Sequence, residues 1–247
     1  MRRVACGQAR LILCVRWILI ATAVCFAGCA TYPLTMALPA SSTQALVVAA
    51  DSPAGTTGRL TLYERDGRSG PWRHLGKPLE VALGRGGLAS ADRDGIPKKR
   101  EGDGATPTGT FSLEYAFGRA AAFPTRLPYL ALSRSTEAVD DPASRFYNRI
   151  VDRRAINRPD WKSAEQMFRE DPLYDLGVVV GYNTRPAVPG KGSCIFLHIW
   201  KSPGSPTSGC IAMSRRNLGR IVEWLDPAAR PVIAISPGKS SPPQAGH

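Results

Sequence analysis

The chain is poor in the residues that hold metals and staple small scaffolds. It has three histidines in 247 residues, His74, His198 and His247, and none lies in a ligand pattern. Cys194 and His198 are four apart, about 13 Å along one face of a strand, too far for one zinc ion with bonds of ~2 Å to bridge. No metal is expected. Of six cysteines, Cys6, Cys14, Cys25 and Cys29 fall at the N-terminus, which leaves Cys194 and Cys210 to the body. Two thiols allow one disulfide and exclude a disulfide framework, so the body folds on its apolar core. The glycine-rich stretches "GRGG" (84–87) and "EGDGATPTG" (101–109) lack the GK[ST] ending of a phosphate loop and the strand-to-helix setting of a dinucleotide fingerprint. Tight turns near a cleft explain them, and no cofactor is expected. There is no internal repeat.

Acid is scarce as well. Twenty Asp and Glu face 32 Lys and Arg, a formal charge of +12. Arg2, Arg3, Arg10 and Arg16 carry four of those charges within the first 28 residues, which hold no acid, leaving +8 to the remainder. A basic body suits anionic surroundings: carboxylate-rich polymers, acidic headgroups or nucleic acid. No nucleic-acid module is present, so that partner is not expected. "KKR" (98–100) reads as a solvated patch; beside a cleft it would attract carboxylates.

What is present begins with a leader. A basic start precedes the apolar run "WILIATAVCFAG", roughly a dozen residues and short for a bilayer span. Three readings stay open for residues 1–28: a lipoprotein signal with Cys29 as lipid site, a plainly cleaved export signal, or a retained anchor. Residues 29–43, small and Pro-containing, read as a tether. A folded domain over 44–236 and a disordered tail over 237–247 follow.

Within the domain, short strands are predicted at 44–51, 58–67, 78–84, 109–118, 127–133, 174–183, 192–200 and 231–236. The polar stretch 135–160 reads as loop and "WKSAEQMFRED" (161–171) as a short helix. Ser214 to Leu225 is the best helix, with Leu218, Ile221, Val222 and Leu225 at i, i+3, i+4 and i+7. The fold class is mainly β with a few helices, one of them amphipathic.

The stretch "FLHIWKSPGSPTSGCIAM" (196–213) carries the chemistry. His198 ends an apolar run, the chain bends through Pro203, Gly204, Ser205 and Pro206, and Cys210 follows twelve positions after the histidine. If the bend brings them together, the imidazole lowers the thiol pKa into the range of roughly 3.5–7.5 and arms a nucleophile. Gly209 lets backbone approach a substrate, and its amide, with that of Cys210, could form an oxyanion hole. A core cysteine and a rim histidine in an ordinary hairpin is the bland alternative. Cys194 reads as a packed thiol.

"HIW…SPTSGCIAM" resembles the YkuD-type L,D-transpeptidase catalytic domain, whose motif is a His, a variable stretch, then Ser/Thr-His-Gly-Cys and an apolar residue. "KREGDGATPTGTF" (99–111), "VVVGYN" and "GSCIFLHIW" resemble segments of the same family, in its branch with the shorter His-to-Cys interval, over residues 45–236. Ser208 replaces the second His of the motif, and Ala212 stands where many members have Arg; Arg215 or Arg216 could substitute. The resemblance implies a mixed β-sandwich, Cys210 as nucleophile and His198 as base. It also implies that the Ile199 carbonyl orients the imidazole, with Tyr182, Ser208 and Arg215 as substrate contacts. It further implies an exported, periplasmic protein acting on peptidoglycan stem peptides, with a membrane contact through the N-terminal lipid and no oligomer expected. A non-catalytic wall-binding lipoprotein, an L,D-carboxypeptidase and a thiol hydrolase of existing wall linkages are the alternatives.

Overall fold

The computed structural model describes residues 37–90, 95–238 and 244–245. The leader, Cys29 and the first part of the tether lie outside the described residues. Strands run in chain order β1 (Ala37–Leu38), β2 (Gln44–Ala50), β3 (Thr57–Glu64), β4 (Arg73–Ala82), β5 (Leu88–Ala89), β6 (Thr106–Pro107), β7 (Gly109–Gly118) and β8 (Tyr129–Ala131). They continue with β9 (Thr136–Val139), β10 (Arg149–Asp152), β11 (Ala164–Gln166), β12 (Leu176–Val180), β13 (Phe196–Ile199), β14 (Ile211–Met213), β15 (Val232–Pro237) and β16 (Gln244–Ala245). One α-helix, α1 (Arg215–Trp224), stands among the described residues, directly after β14. None there is long and apolar enough to cross a membrane.

Nine strands form one mixed sheet in the order β12-β13-β14-β4-β3-β2-β15-β7-β8, and a further pairing of β7 with β12 closes eight of them into a circuit. Period-2 alternation decides which side chains fill it. Leu46 and Val48 of β2, Val178 and Val180 of β12, Leu197 and Ile199 of β13 and Ile233 and Ile235 of β15 share the main core. β2 is buried on both faces, because Ala45 and Val47, beside Val232 and Ala234 on the outer face, cluster with Leu38 and Trp72. That explains its unbroken apolar run.

Helix α1 forms as the periodicity predicts. Ser214 caps it, its Oγ accepting from Asn217 N at 3.3 Å, and Leu218, Ile221 and Val222 are buried in the main core. Each such side chain removed from water contributes about 1.5–3 kcal/mol. Asp226-Pro227 stops the helix, since the residue before proline is pushed out of helical geometry.

Two expectations fail in one place. The stretch 161–171 is no helix: it holds β11, which pairs with β9, and β9 pairs with β10 inside the supposed loop. This three-stranded sheet packs Ala138 and Met167 into a second apolar cluster with Phe117, Phe196 and Cys210. Trp161 Nε1 donates to Glu137 Oε2 at 2.7 Å across the same sheet. Strand pairing and burial outweigh the helical propensity of Ala, Glu, Gln and Met here. The tail and tether also pair briefly, β16 running parallel to β1.

Candidate active site

His198 and Cys210 lie on one face of neighbouring strands. β13 and β14 are parallel, with Leu197 opposite Ile211 and His198 opposite Ala212. Leu197, Ile199, Ile211 and Met213 point into the main core, so alternation turns Phe196, His198, Cys210 and Ala212 to the other side. Cys210 precedes Ile211 and is therefore diagonal to His198, roughly 8 Å away between Cα atoms. The connection is no hairpin, because the chain must return the length of a strand to run parallel again. It does so through a turn in which Ser205 N donates to Ser202 O at 3.1 Å. Thr207 then anchors it to the end of β4: Thr207 N donates to Leu83 O and Arg85 N to Thr207 O, both at 2.8 Å.

His198 is 5% exposed. Nδ1 lies 2.8 Å from Ile199 O. A carbonyl only accepts, so Nδ1 carries the proton and Nε2 keeps its lone pair. Tyr174, on the short 3-10 turn Pro172–Tyr174, meets the imidazole edge to face at 5.3 Å. Burial lowers the imidazole pKa to about 4 against the pull of the Ile199 hydrogen bond. The ring is neutral at ordinary pH, the state a proton acceptor requires.

Cys210 and Cys194 are both free thiols. Cys210, 7% exposed, accepts from Phe196 N at 3.3 Å and donates to Cys194 O at 3.4 Å. Its thiol is not held low by the imidazole. Burial pushes it up, the Glu165 carboxylate adds to that, and the Phe196 amide and Lys99 oppose it. The resting sulfur is therefore a protonated thiol aimed at a carbonyl. Cys194 is buried, as expected of a packed thiol, with Sγ 3.7 Å from Val139 O and its pKa also raised by burial.

Both residues line one cavity of about 590 Å³. Several of its groups were not singled out from sequence. Glu165 of β11 reaches in and accepts from Tyr174 Oη at 2.6 Å, and burial raises its pKa. Lys99, expected on a solvated patch, is 5% exposed; its Nζ is 2.7 Å from Asp103 Oδ1. Glu101 accepts from Ser193 Oγ at 2.9 Å and from the Tyr147 hydroxyl. Arg85 donates to Ser208 Oγ at 2.7 Å. Glu165 was concealed by the helical reading of its segment, and Arg85 by the reading of "GRGG" as turn alone.

The remaining expected residues divide. Ile199 gives its carbonyl to the imidazole, and Ser208 lines the cavity. Gly209 adopts φ +136, and a Cβ there would stand 3.1 Å from Ala105 O, so glycine is needed. Its amide donates to Thr207 Oγ1 at 3.1 Å and so is not presented to an oxyanion in this conformation. Tyr182 is 8% exposed and belongs to the main core; its ring packs edge-on to Phe111 at 5.3 Å and its hydroxyl donates to Lys191 O. Arg215 pairs with Asp175 outside the cavity. The fold does not bring these two to the site.

The model of the YkuD family, described as the L,D-transpeptidase catalytic domain, matches residues 55–233. No curated protein matches the chain. Among solved structures, the helical cell shape determining protein Pgp2 from Campylobacter jejuni is similar at 16% identity and a TM-score of 0.38. The match covers 82% of this chain and 51% of that one, so this chain spans about half its length. With the match extending over most of its length, including the strands that carry His198 and Cys210, the chain belongs to the YkuD family of L,D-transpeptidase catalytic domains.

Proposed function

We propose that the protein is a peptidoglycan L,D-transpeptidase of the cell envelope with Cys210 as nucleophile and His198 as base. The observation that carries this reading is the shared cavity face of β13 and β14, where an imidazole with a free Nε2 stands diagonal to a thiol. Nε2 takes the Cys210 proton, and the thiolate adds to the carbonyl carbon of the diamino acid at the third position of a stem tetrapeptide. Collapse of the tetrahedral adduct breaks the amide bond, and the imidazolium returns its proton to the departing D-alanine amine. A thioester remains on Cys210. The amine of a second stem peptide attacks it, losing a proton to His198 as the carbon–sulfur bond breaks, and a cross-link results.

The Phe196 amide supports the charge that develops on sulfur, since an N–H donor favours the thiolate. The +8 charge outside the leader suits a carboxylate-rich polymer. Mass spectrometry of the intact protein after incubation with purified stem tetrapeptide tests the reading. An acyl adduct on Cys210 and a cross-linked dimer are expected; tripeptide as sole product would make the enzyme a carboxypeptidase, and no adduct would refute the nucleophile.

A further inference from the structure

Arg85 is an exposed cation lining the cavity, and among the described residues no acid pairs with it. Gly84 bridges to Thr207 and Arg85 N donates to Thr207 O at 2.8 Å, which fastens the backbone to the loop that delivers Cys210. The side chain lies across Gly104, where a Cβ would stand 2.9 Å from both Cγ and Cζ of Arg85. A side chain there would press on the guanidinium, and the left-handed backbone at φ +66 favours glycine. Its Nη1 donates to Ser208 Oγ at 2.7 Å, two residues before Cys210.

The other cations around the cavity differ. Lys99 is paired with Asp103, and Arg169 with Asp171. Lys201, exposed like Arg85, stands on the turn after β13, and no side chain aligns it among the described residues. Among the described residues no carboxylate pairs with Arg85, whose partner is a neutral hydroxyl. A guanidinium presents five N–H donors in a planar fork, so one hydroxyl leaves an edge free for two parallel bonds to a carboxylate.

We infer that Arg85, aligned by Ser208 and seated on Gly104, binds the terminal carboxylate of the peptide whose acyl group passes to Cys210. This rests on the acyl-transfer reading above. Removing a single terminal residue requires a marker for the chain end. The carboxylate of that residue is the anion nearest the scissile amide, one Cα from its nitrogen. Arg85 is thus a specificity-determining residue that selects free chain ends.

Full-length Cys210→Ala protein, which cannot turn over, is titrated with stem tetrapeptide and with the same peptide amidated at its terminal carboxyl. The acid is expected to bind about tenfold or more tightly than the amide, as a charge-assisted pair would require. Adding Arg85→Gln should erase the preference and leave amide affinity within about twofold. Ser208→Ala, a milder change that keeps the charge and removes its alignment, should shrink the preference about threefold. Equal binding of acid and amide, no binding of either, or a preference that survives Arg85→Gln overturns the assignment. Acylation is read separately on protein that retains Cys210. An adduct without acid preference sinks the role of Arg85 and spares acyl transfer; an Arg85-dependent preference without adduct does the reverse.

Discussion

The Tyr174 hydroxyl donates to Glu165 Oε2 at 2.6 Å while the same tyrosine ring meets His198 edge to face at 5.3 Å. One phenol therefore joins the three-stranded sheet to the imidazole and ties down a carboxylate of the cavity that Cys210 lines. Glu165→Gln keeps an acceptor for the phenol but removes the charge that raises the Cys210 thiol pKa. The midpoint for alkylation of Cys210, read by peptide mapping across pH, should move downward. An unmoved midpoint would mean that Glu165 acts only in packing. Tyr174→Phe leaves the buried carboxylate without its donor and should cost about 1–3 kcal/mol in denaturant unfolding.

The buried imidazole makes stability depend on pH. Its folded pKa, about 4, lies below the usual imidazole value of 6.5, so between these values the unfolded chain binds a proton that the folded one does not. Stability therefore falls as pH drops from 6.5 towards 4. The loss attributable to this group is on the order of 3 kcal/mol. His198→Gln should lose that part of the slope when unfolding free energies are compared at pH 7 and pH 4. Parallel curves for the two proteins would refute a buried neutral histidine.

The two thiols should separate by function. Cys210→Ala or His198→Ala is expected to lower cross-linking at least ~10³-fold, because one removes the proposed nucleophile and the other its proposed base. Cys194→Ala should keep the acyl adduct and lose about 1 kcal/mol of stability from a small packing defect. An adduct that disappears with Cys194 and persists without Cys210 would exchange their roles.

Gly209→Ala tests the turn into β14. At φ +136, with Ala105 O 3.1 Å from the new methyl group, the substitution should cost about 1–3 kcal/mol and slow acylation. The melting temperature and the adduct rate should fall together. A variant that is stable and fast would show that the turn has another accessible conformation.

Much of the site was legible because its signals are local. The bend after "FLHI" and the Ser-Gly-Cys that follows it already single out His198 and Cys210 as the candidate pair. The heptad-like spacing of Leu218, Ile221, Val222 and Leu225 defines α1. The segment around Glu165 was not legible, because its strand is stabilised by β9, some thirty residues earlier, and by burial of Met167. Lys99 misled for a related reason. A run of three basic residues looks solvated until the loop carrying Asp103 folds back to neutralise one of them.

By itself the sequence determined the mainly β class, the helix that follows Cys210 and the candidate pair, since period and turn chemistry act over a few residues. The tertiary structure decided the parallel pairing of β13 with β14, the proton-bearing resting thiol, and the exclusion of Tyr182 and Arg215 from the cavity. It also placed Glu165 and Arg85 there. Those outcomes depend on which distant segments exclude water from one another, and burial changes both where a charge can stand and which form of an acid or base is stable.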